Sequence, residues 1–281
     1  MDPSTKDYLA AYDAVLAQWP VPVTPVDVRS AYGMTRVNIC GPADGTPLVL
    51  LHGGGATSTV WFANVGDLTR THRVYAVDRS GRSVLDGAPF RTVDDLMAWL
   101  DAVLDGLGLG AGAALCGHSY GGWMALRYAL YAPHRVHRLA VLDSTDCFGG
   151  MRLAYRLRAV PLFVRPSAQR MRSFLAWETR GARLDPAWLS VMALGVEQPG
   201  PRLVLPRRPA DERFAGFSVP TLLVLAGRSR AHDIRKVGAN ARRLVPHIFT
   251  AVLPDATHHT IPTENAAALN QVLCDFLAVT R

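Results

Sequence analysis

One serine stands in a stretch whose residue types could perform nucleophilic catalysis. Ser119 is the centre of the sequence Gly117-His118-Ser119-Tyr120-Gly121. An apolar run precedes it and apolar residues at helical spacing follow it, so the serine is predicted at a sharp strand-to-helix turn. Such a turn strains its central residue and leaves no room for a Cβ two positions before and after it, which Gly117 and Gly121 satisfy. We therefore predict a G-x-S-x-G turn that exposes the Ser119 hydroxyl and lets the Tyr120 backbone N–H face a developing oxyanion.

A glycine-rich turn can also carry a serine that does no chemistry, because the motif is short and common. The elements around the turn therefore matter. Short apolar runs predict strands at 47–51, 73–77, 113–116, 136–142, 220–226 and 248–253, and alternation around Tyr32-Gly33 predicts an edge hairpin over 26–39. Helical periodicity predicts helices over 5–18, 57–68, 92–107, 233–244 and 263–279, and another that begins after the serine. This alternation predicts an α/β fold with a mostly parallel central sheet and helices on both faces.

The alternation stops between residues 144 and 219, where helical patterns predominate. Helices are predicted over 151–164 and 168–179 and from residue 186, and this stretch carries twelve arginines against six acidic residues. We predict a core of residues 1–143 and 216–281 with a helical cap of residues 144–215. The arginines could meet an acidic substrate, but a solvated basic face on a lid for neutral, apolar compounds is the favoured interpretation.

Composition excludes several classes of function. The chain has 281 residues, 49% of them hydrophobic, which suits one large core, and no apolar run approaches the roughly 18 residues that span a bilayer. The polar N-terminus lacks the pattern of a secretory signal. Four scattered cysteines form no C-x-x-C pair, and the net charge of +7 comes from dispersed arginines. We expect a cytoplasmic protein with no metal, cofactor, nucleic acid or membrane as a partner.

In order and spacing, these motifs resemble the α/β-hydrolase superfamily over nearly the whole chain. His52-Gly53-Gly54-Gly55 follows the strand at 47–51 and is similar to the family's oxyanion loop. The resemblance implies that Ser119 is the nucleophile and His258 the general base, and that a backbone N–H near Gly54 joins that of Tyr120 in an oxyanion hole.

Further residues near these motifs are expected to line the substrate site. They are His52, Gly53, Gly55 and His118. For His118 a packing role is the favoured interpretation, because it sits on the tight turn and faces another way than the serine. His259 is the rival of His258 for the role of base, and its side chain should point away from that of its neighbour.

The acidic member of the triad is where the chain departs from the family. After the strand at 220–226 the sequence is Gly227-Arg228-Ser229-Arg230, and it has no carboxylate at the usual place. Asp143, at the end of the strand at 136–142, is the favoured acid, because some family members place theirs there. Asp233 is the alternative, followed by Asp146 or no acid at all. Asp143 could otherwise cap a turn, and Asp233 could cap the next helix.

The function that this pattern favours is hydrolysis of an ester, thioester or related acyl bond of a small molecule. Labelling by a serine-directed probe would indicate an activated serine. A serine hydroxyl is a poor nucleophile at neutral pH, so it needs a base that takes its proton and returns it to the leaving group. The products would form through an acyl-enzyme. The alternatives are a lyase or cyclase on the same fold, for which a displaced acid is mild support, and a binding protein without turnover. The sequence leaves the substrate and the oligomeric state open.

Overall fold

The fold is organised around one eight-stranded sheet in the computed structural model, which describes residues 2–200 and 203–278. The strands are β1 Thr24–Ser30, β2 Gly33–Cys40, β3 Thr46–Leu51, β4 His72–Val77, β5 Ala113–His118, β6 Val136–Leu142, β7 Thr221–Ala226 and β8 Phe249–Leu253. Their order is β1-β2-β4-β3-β5-β6-β7-β8. The β1–β2 and β2–β4 pairs are antiparallel, and all others are parallel. The predicted α/β class, mostly parallel sheet and edge hairpin are confirmed.

Helices cover both faces of this sheet. They are α1 Pro3–Leu16, α2 Val65–Leu68, α3 Val93–Gly106, α4 Tyr120–Tyr131, α5 Leu153–Val164, α6 Ala168–Glu178, α7 Pro186–Gly195, α8 Ile234–Leu244 and α9 Ala266–Ala278. Alternate residues of β3 enter different cores, because successive strand side chains point to opposite faces. Val49 and Leu51 pack in the core with α3, α4 and α8, whereas Leu48 and Leu50 pack in the core with α1, α9 and α5–α7. The last predicted helix reached Val279, which lies outside the described residues.

The helix predicted over 57–68 is wrong as a single element. The structure has a 3₁₀ segment at Ser58–Ala63 followed by the one-turn helix α2. The backbone N–H of Ser58 donates a 2.6 Å hydrogen bond to the buried Asp78 carboxylate. This long-range contact fixes the start of the segment, and Asn64, with φ of −113°, interrupts its continuation.

The sheet brings three loops to one edge. β3 and β5 are parallel neighbours with Leu51 beside Gly117, and β6 follows with Leu142 beside His118. β4 lies on the other side of β3, so the direction of winding changes between β3 and β5. In such sheets a crevice opens at this point beyond the carboxyl ends of the strands. The loops after β3, β5 and β6 meet there.

Helices α5, α6 and α7 occupy the connection between β6 and β7, where the sequence predicted a cap. Tyr155, Phe174 and Trp188 from these helices share an apolar core with the sheet, and α1 packs against α7. The division into core and cap stays a prediction. Within residues 2–200 and 203–278, no helix has the length and apolar character needed to cross a membrane.

Candidate active site

The turn at Ser119 has the strained geometry that its glycines predicted. Ser119 has φ of 53°, a value in the left-handed region that non-glycine residues rarely adopt. A Cβ on Gly117 would lie 2.3 Å from the Gly121 carbonyl oxygen, and one on Gly121 would lie 2.1 Å from the Leu51 carbonyl oxygen. The Ser119 N–H donates to the Leu142 carbonyl at 3.0 Å, which anchors the turn to β6. The glycines are therefore required by close backbone packing.

Ser119, His258 and Asp143 lie together in one hydrogen-bonded chain. The Ser119 Oγ is 2.9 Å from His258 Nε2, and His258 Nδ1 is 2.8 Å from Asp143 Oδ2. The Ser119 Oγ also lies 3.2 Å from the Thr145 Oγ1, a contact that no sequence signal indicated. The distance from Ser119 to His258 is within the range of a hydrogen bond between a nucleophile and its base. The distance from His258 to Asp143 is within the range of a hydrogen bond between a base and the carboxylate that orients it.

Asp143 is held rigidly after β6. Its φ is 37°, and its backbone N–H donates to the Val224 carbonyl at 2.7 Å. Its carboxylate accepts hydrogen bonds from the Ala226 N–H at 3.2 Å and from the Ser229 hydroxyl at 2.9 Å. Ser229 lies in the segment 227–230, where the sequence has no carboxylate, and its hydroxyl supports the carboxylate that follows the neighbouring strand β6.

The two other candidate acids lie elsewhere. Asp233 is exposed and caps α8, with its Oδ1 accepting from the Lys236 N–H at 3.2 Å. Asp146 forms a 3.2 Å ion pair with Arg156 of α5. The structure therefore brings only Asp143 of these three aspartates to the His258 imidazole.

The charges around His258 favour its protonated form. Burial lowers the pKa of His258, but the hydrogen bond and charge of Asp143, together with the charge of Glu178, outweigh burial and raise the pKa above its usual value. Burial raises the pKa of Asp143, yet interactions with His232 and His258 hold this pKa well below its usual range. An ionised Asp143 can therefore stabilise the imidazolium that forms when His258 takes a proton.

The glycine loop after β3 lies against the serine turn. A Cβ on Gly53 would be 3.2 Å from the Ser119 Cβ, and a Cβ on Gly54 would be 3.8 Å from the Tyr120 Cβ. His52 does not face the serine: its Nδ1 lies 2.8 Å from the Gly53 carbonyl, and its Nε2 accepts from the Arg79 N–H at 3.0 Å. Burial lowers the pKa of His52 to about 4, so the neutral ring holds this loop in shape.

Gly55 and His118 have different surroundings. Gly55 has φ of 75°, which allows the loop to turn away after Gly54, and its nearest neighbour for a Cβ would be Met171 at 3.9 Å. His118 is buried, and burial lowers its pKa well below the usual value. Its Nε2 lies 2.7 Å from the His258 carbonyl, to which the neutral ring can donate. His118 thus lines the cavity at Ser119 and also packs against the backbone of His258.

A carboxylate from α6 holds the loop that carries His258, and sequence reasoning missed it. Glu178 is fully buried and accepts hydrogen bonds from the backbone N–H groups of His258 at 3.0 Å and His259 at 3.1 Å. Its Oε2 also lies 2.9 Å from His259 Nδ1 and accepts from the Thr257 hydroxyl at 3.3 Å. Burial raises the pKa of Glu178, but the hydrogen bond and charge of His259 lower it to about 2.

The space at Ser119 is small and mostly apolar. A cavity of about 10 Å³ lies at the serine, roughly the room that one water needs. Its lining includes Gly53, Gly54, Ala56, Val60, His118, Trp188, Met192, His259 and Pro262. Trp188 and Met192 belong to α7, so side chains of this helix help to limit the space at the serine.

One group of side chains near the serine has the donor set of a metal site. Asp143, His232 and His258 place one ligand atom each within 4.8 Å of one another, and all three are buried. Asp143 and His258 are already hydrogen-bonded to each other, and His258 also contacts Ser119. A metal ion here would have to break the hydrogen bond between His258 and Asp143.

The arginines of α5 and α6 lie on the surface. Arg152, Arg158, Arg165, Arg170 and Arg172 are exposed, and Arg156 pairs with Asp146. Arg158 and Arg230 stand over the Trp177 ring, with 5.8 Å and 4.8 Å from guanidinium carbon to ring centroid. None of these residues lines the cavity at Ser119. Their positions favour the solvated basic face over direct recognition of an acidic substrate.

Comparisons with known proteins agree with this geometry. Residues 48–272 match the alpha/beta hydrolase family. The chain is 29% identical to carboxylesterase YbfK of Bacillus subtilis (strain 168) over 280 residues, which cover 96% of this chain and 93% of that protein. It is 30% identical to the uncharacterized carboxylesterase nap of the same strain over 262 residues, which cover 89% and 86%.

A solved structure extends this similarity to three dimensions. The crystal structure of naproxen esterase (carboxylesterase NP) from Bacillus subtilis aligns with a TM-score of 0.89 and 28% identity, covering 98% of this chain and 99% of that chain. The aligned length leaves no large element of either chain unmatched, and it includes α5–α7.

Proposed function

Because the chain belongs to the α/β hydrolase family, as its motifs predicted, we propose that it hydrolyses a carboxylic ester of a small, apolar molecule through an acyl-enzyme on Ser119. The single observation that carries this proposal is the continuous contact from Ser119 Oγ through His258 to Asp143. The similarity to carboxylesterases over nearly the whole chain supports the same reaction.

In the first half of the reaction, the Ser119 Oγ attacks the ester carbonyl carbon while His258 Nε2 takes the hydroxyl proton. The backbone N–H groups of Tyr120 and Gly54 stabilise the oxyanion of the tetrahedral intermediate, since both residues border the serine. The bond to the alkoxy group then breaks, and His258 gives its proton to the departing alcohol. Asp143 keeps the imidazole in the tautomer that this transfer needs.

In the second half, a water molecule attacks the acyl carbon. His258 Nε2 takes the proton of this water, the bond from Ser119 Oγ to the acyl carbon breaks, and His258 returns the proton to the serine. The products are one carboxylic acid and one alcohol, and the enzyme regains its starting state. His258 must be neutral at each attack, so activity requires a pH above the raised pKa of this residue.

The access to the serine supports a role for residues 144–215 as a cap. Trp188 and Met192 from this stretch line the cavity, whose volume of about 10 Å³ is too small for an ester in this conformation. Val60 and Pro262 add apolar walls, so we propose an apolar acyl group that displaces the side chains of α7. We also propose a cytoplasmic location, because all four cysteine thiols are free, as in reducing compartments.

A panel of p-nitrophenyl esters of increasing chain length, extended with naproxen methyl ester, tests the proposal. We expect hydrolysis by the wild type, labelling by a fluorophosphonate probe at Ser119, and loss of both in Ser119→Ala with an unchanged melting temperature. An unlabelled protein that hydrolyses none of the esters would contradict the proposal and favour a binding protein. Asp143 follows β6 and not β7, so the displaced acid that gave mild support to a lyase or cyclase remains, and release of an acid and an alcohol from these esters is the result that favours hydrolysis over those reactions.

A further inference from the structure

The outer face of α5 carries a stripe of exposed apolar side chains. Leu153, Leu157, Val160 and Val164 follow the spacing i, i+4, i+7 and i+11, which places them within about 60° of one another around the helix axis. Their exposed fractions are 70%, 62%, 46% and 70%, and the neighbouring Phe163 is 72% exposed. Single exposed apolar residues are ordinary, but five on one short helix form a patch that marks an interaction surface. We call these five residues the α5 stripe.

The stripe is not needed to hold α5 on the protein. The opposite face of the helix does this through the buried Tyr155 and the partly buried Leu162. The Tyr155 ring lies 5.4 Å from that of Phe174 and 5.8 Å from that of His258, between ring centroids. A helix on the surface of a globular protein usually has one apolar face, which packs on the core. The α5 stripe is a second apolar face, and it points to a partner outside the protein.

The charges beside the stripe indicate which partner fits. Residues 152–172 contain six arginines and no lysine, aspartate or glutamate. The arginines at 152, 158, 165, 170 and 172 are exposed. A second copy of this chain docked through the same stripe would bring these like charges together, which costs free energy in a water-poor interface. A surface of fixed negative charge would instead be attracted to them.

A groove beside the stripe has the same mixed character. It lies between α5 and α6, has a volume of about 490 Å³, and is lined by Leu157, Pro161, Arg158 and Arg170 among others. A lining of apolar side chains and arginines suits a molecule with an acyl chain and an anionic headgroup.

We propose that the α5 stripe docks on the surface of a lipid bilayer with anionic headgroups, with its apolar side chains at the acyl boundary and the arginines at the headgroups. The sequence-based expectation that no membrane is a partner rested on the lack of a spanning run, and a helix that lies in the interface needs none. Because Tyr155 on the inner face of α5 contacts the His258 ring, docking would bring the candidate active site close to apolar esters dissolved in the bilayer.

Vesicle flotation tests this proposal without any turnover, so its result is separate from that of the ester assays. We expect the wild type to float with phosphatidylglycerol/phosphatidylcholine vesicles, and much less with phosphatidylcholine alone. Leu157→Glu should lower the partition coefficient at least tenfold, and neutralising Arg165 as Arg165→Gln should lower it about fivefold. Val252→Glu is the matched control, because Val252 is an exposed valine, 51% accessible, on β8. It should float like the wild type.

Melting temperature and hydrolysis of a water-soluble ester, measured on Leu157→Glu, check that the variant is folded. Both should equal the wild-type values. Equal flotation of the wild type and Leu157→Glu would overturn the proposal, as would no flotation of the wild type with anionic vesicles. A dimer detected by light scattering that dissociates in Leu157→Glu would also overturn it, because the stripe would then belong to a contact between two copies.

Discussion

Two adjacent histidines each face a buried carboxylate, but the carboxylates come from different parts of the molecule. His258 Nδ1 lies 2.8 Å from Asp143, which follows a strand of the central sheet. His259 Nδ1 lies 2.9 Å from Glu178, the last residue of α6 in the predicted cap. Both carboxylates are fully buried, and interactions with histidine hold the pKa of each one below its usual value.

The two pairs differ in what else each member contacts. The other ring nitrogen of His258, Nε2, is hydrogen-bonded to the Ser119 Oγ. Glu178, in contrast, also accepts hydrogen bonds from the backbone N–H groups of His258 and His259. The same pairing of groups therefore serves two purposes. We infer that Asp143 orients the base for chemistry, and that Glu178 positions the loop on which the base stands, which links the predicted cap to the sheet.

The largest effect is expected when the hydrogen bond between Asp143 and His258 is broken. Asp143→Asn keeps the shape of the side chain but allows the imidazole the wrong tautomer, which costs about 10⁴-fold in kcat in a comparable triad. Steady-state kinetics on one p-nitrophenyl ester at neutral pH measure the loss. A near wild-type kcat would mean that the assignment of the acid is wrong and that Ser119 and His258 act as a dyad.

A smaller but distinctive effect on activity is expected when the pair of Glu178 and His259 is broken. Glu178→Gln removes a charge that raises the pKa of His258, so the acid limb of the pH profile of kcat/KM should move to lower pH. It also leaves N–H groups of the loop without a carboxylate, and a displaced base can cost on the order of 10²-fold. We expect kcat/KM at neutral pH to fall about 10- to 100-fold.

Glu212→Gln is the control for this change, because Glu212 is exposed in the turn at Asp211–Phe214. It removes the same charge and should leave the pH profile in place. A fall in activity for Glu178→Gln with an unmoved acid limb would limit Glu178 to a structural role.

The same glutamate should affect stability in acid. Its pKa is about 2 in the folded state, against a usual value of 4.5. A lowered pKa stabilises the fold fully above the unfolded value, and this contribution is lost as pH falls toward the folded value. The melting temperature of the wild type should therefore fall more steeply between about pH 4.5 and 2 than that of Glu178→Gln. Parallel curves for the two proteins would contradict this linkage.

The histidines themselves sharpen the comparison further. His259→Asn keeps a side-chain donor for Glu178 and leaves the Ser119 contact intact, so kcat should change by less than about tenfold. His258→Asn removes the proposed base and should lower kcat by several orders of magnitude. Kinetics of the two variants under one condition compare them directly. The reverse order of effects would exchange the roles of the two residues.

The smallest effect on activity and stability is expected for a change at Asp233, which lies away from His258. Asp233 caps α8, and asparagine is an equally good N-cap, so Asp233→Asn should leave the unfolding free energy within about 0.5 kcal/mol of the wild type. Its kcat should also be unchanged. Denaturant unfolding and ester kinetics test both statements. An inactive Asp233→Asn would place a second carboxylate in the reaction.

Local sequence determined the strands, most helices and the serine turn. Apolar runs such as 47–51 and 220–226 fit only strands buried on both faces, and glycines at 117 and 121 fit only a turn with no space for a Cβ. These features depend on residues near one another in the chain. The helix predicted over 57–68 failed for the opposite reason, since a hydrogen bond from Ser58 to the distant Asp78 fixes that segment.

Tertiary structure alone decided which distant groups meet. The sequence favoured Asp143 but left Asp233 and Asp146 open as the acid. The pairing of β6 beside β7 brings, of these three, only Asp143 to His258. Glu178 lies 80 residues from His258 and gave no local signal beyond an acid among arginines. Helix α5 is apolar on both sides, so periodicity could not tell which side would pack inward. Local sequence limits the conformations of each segment, but the energy of long-range packing selects the partners.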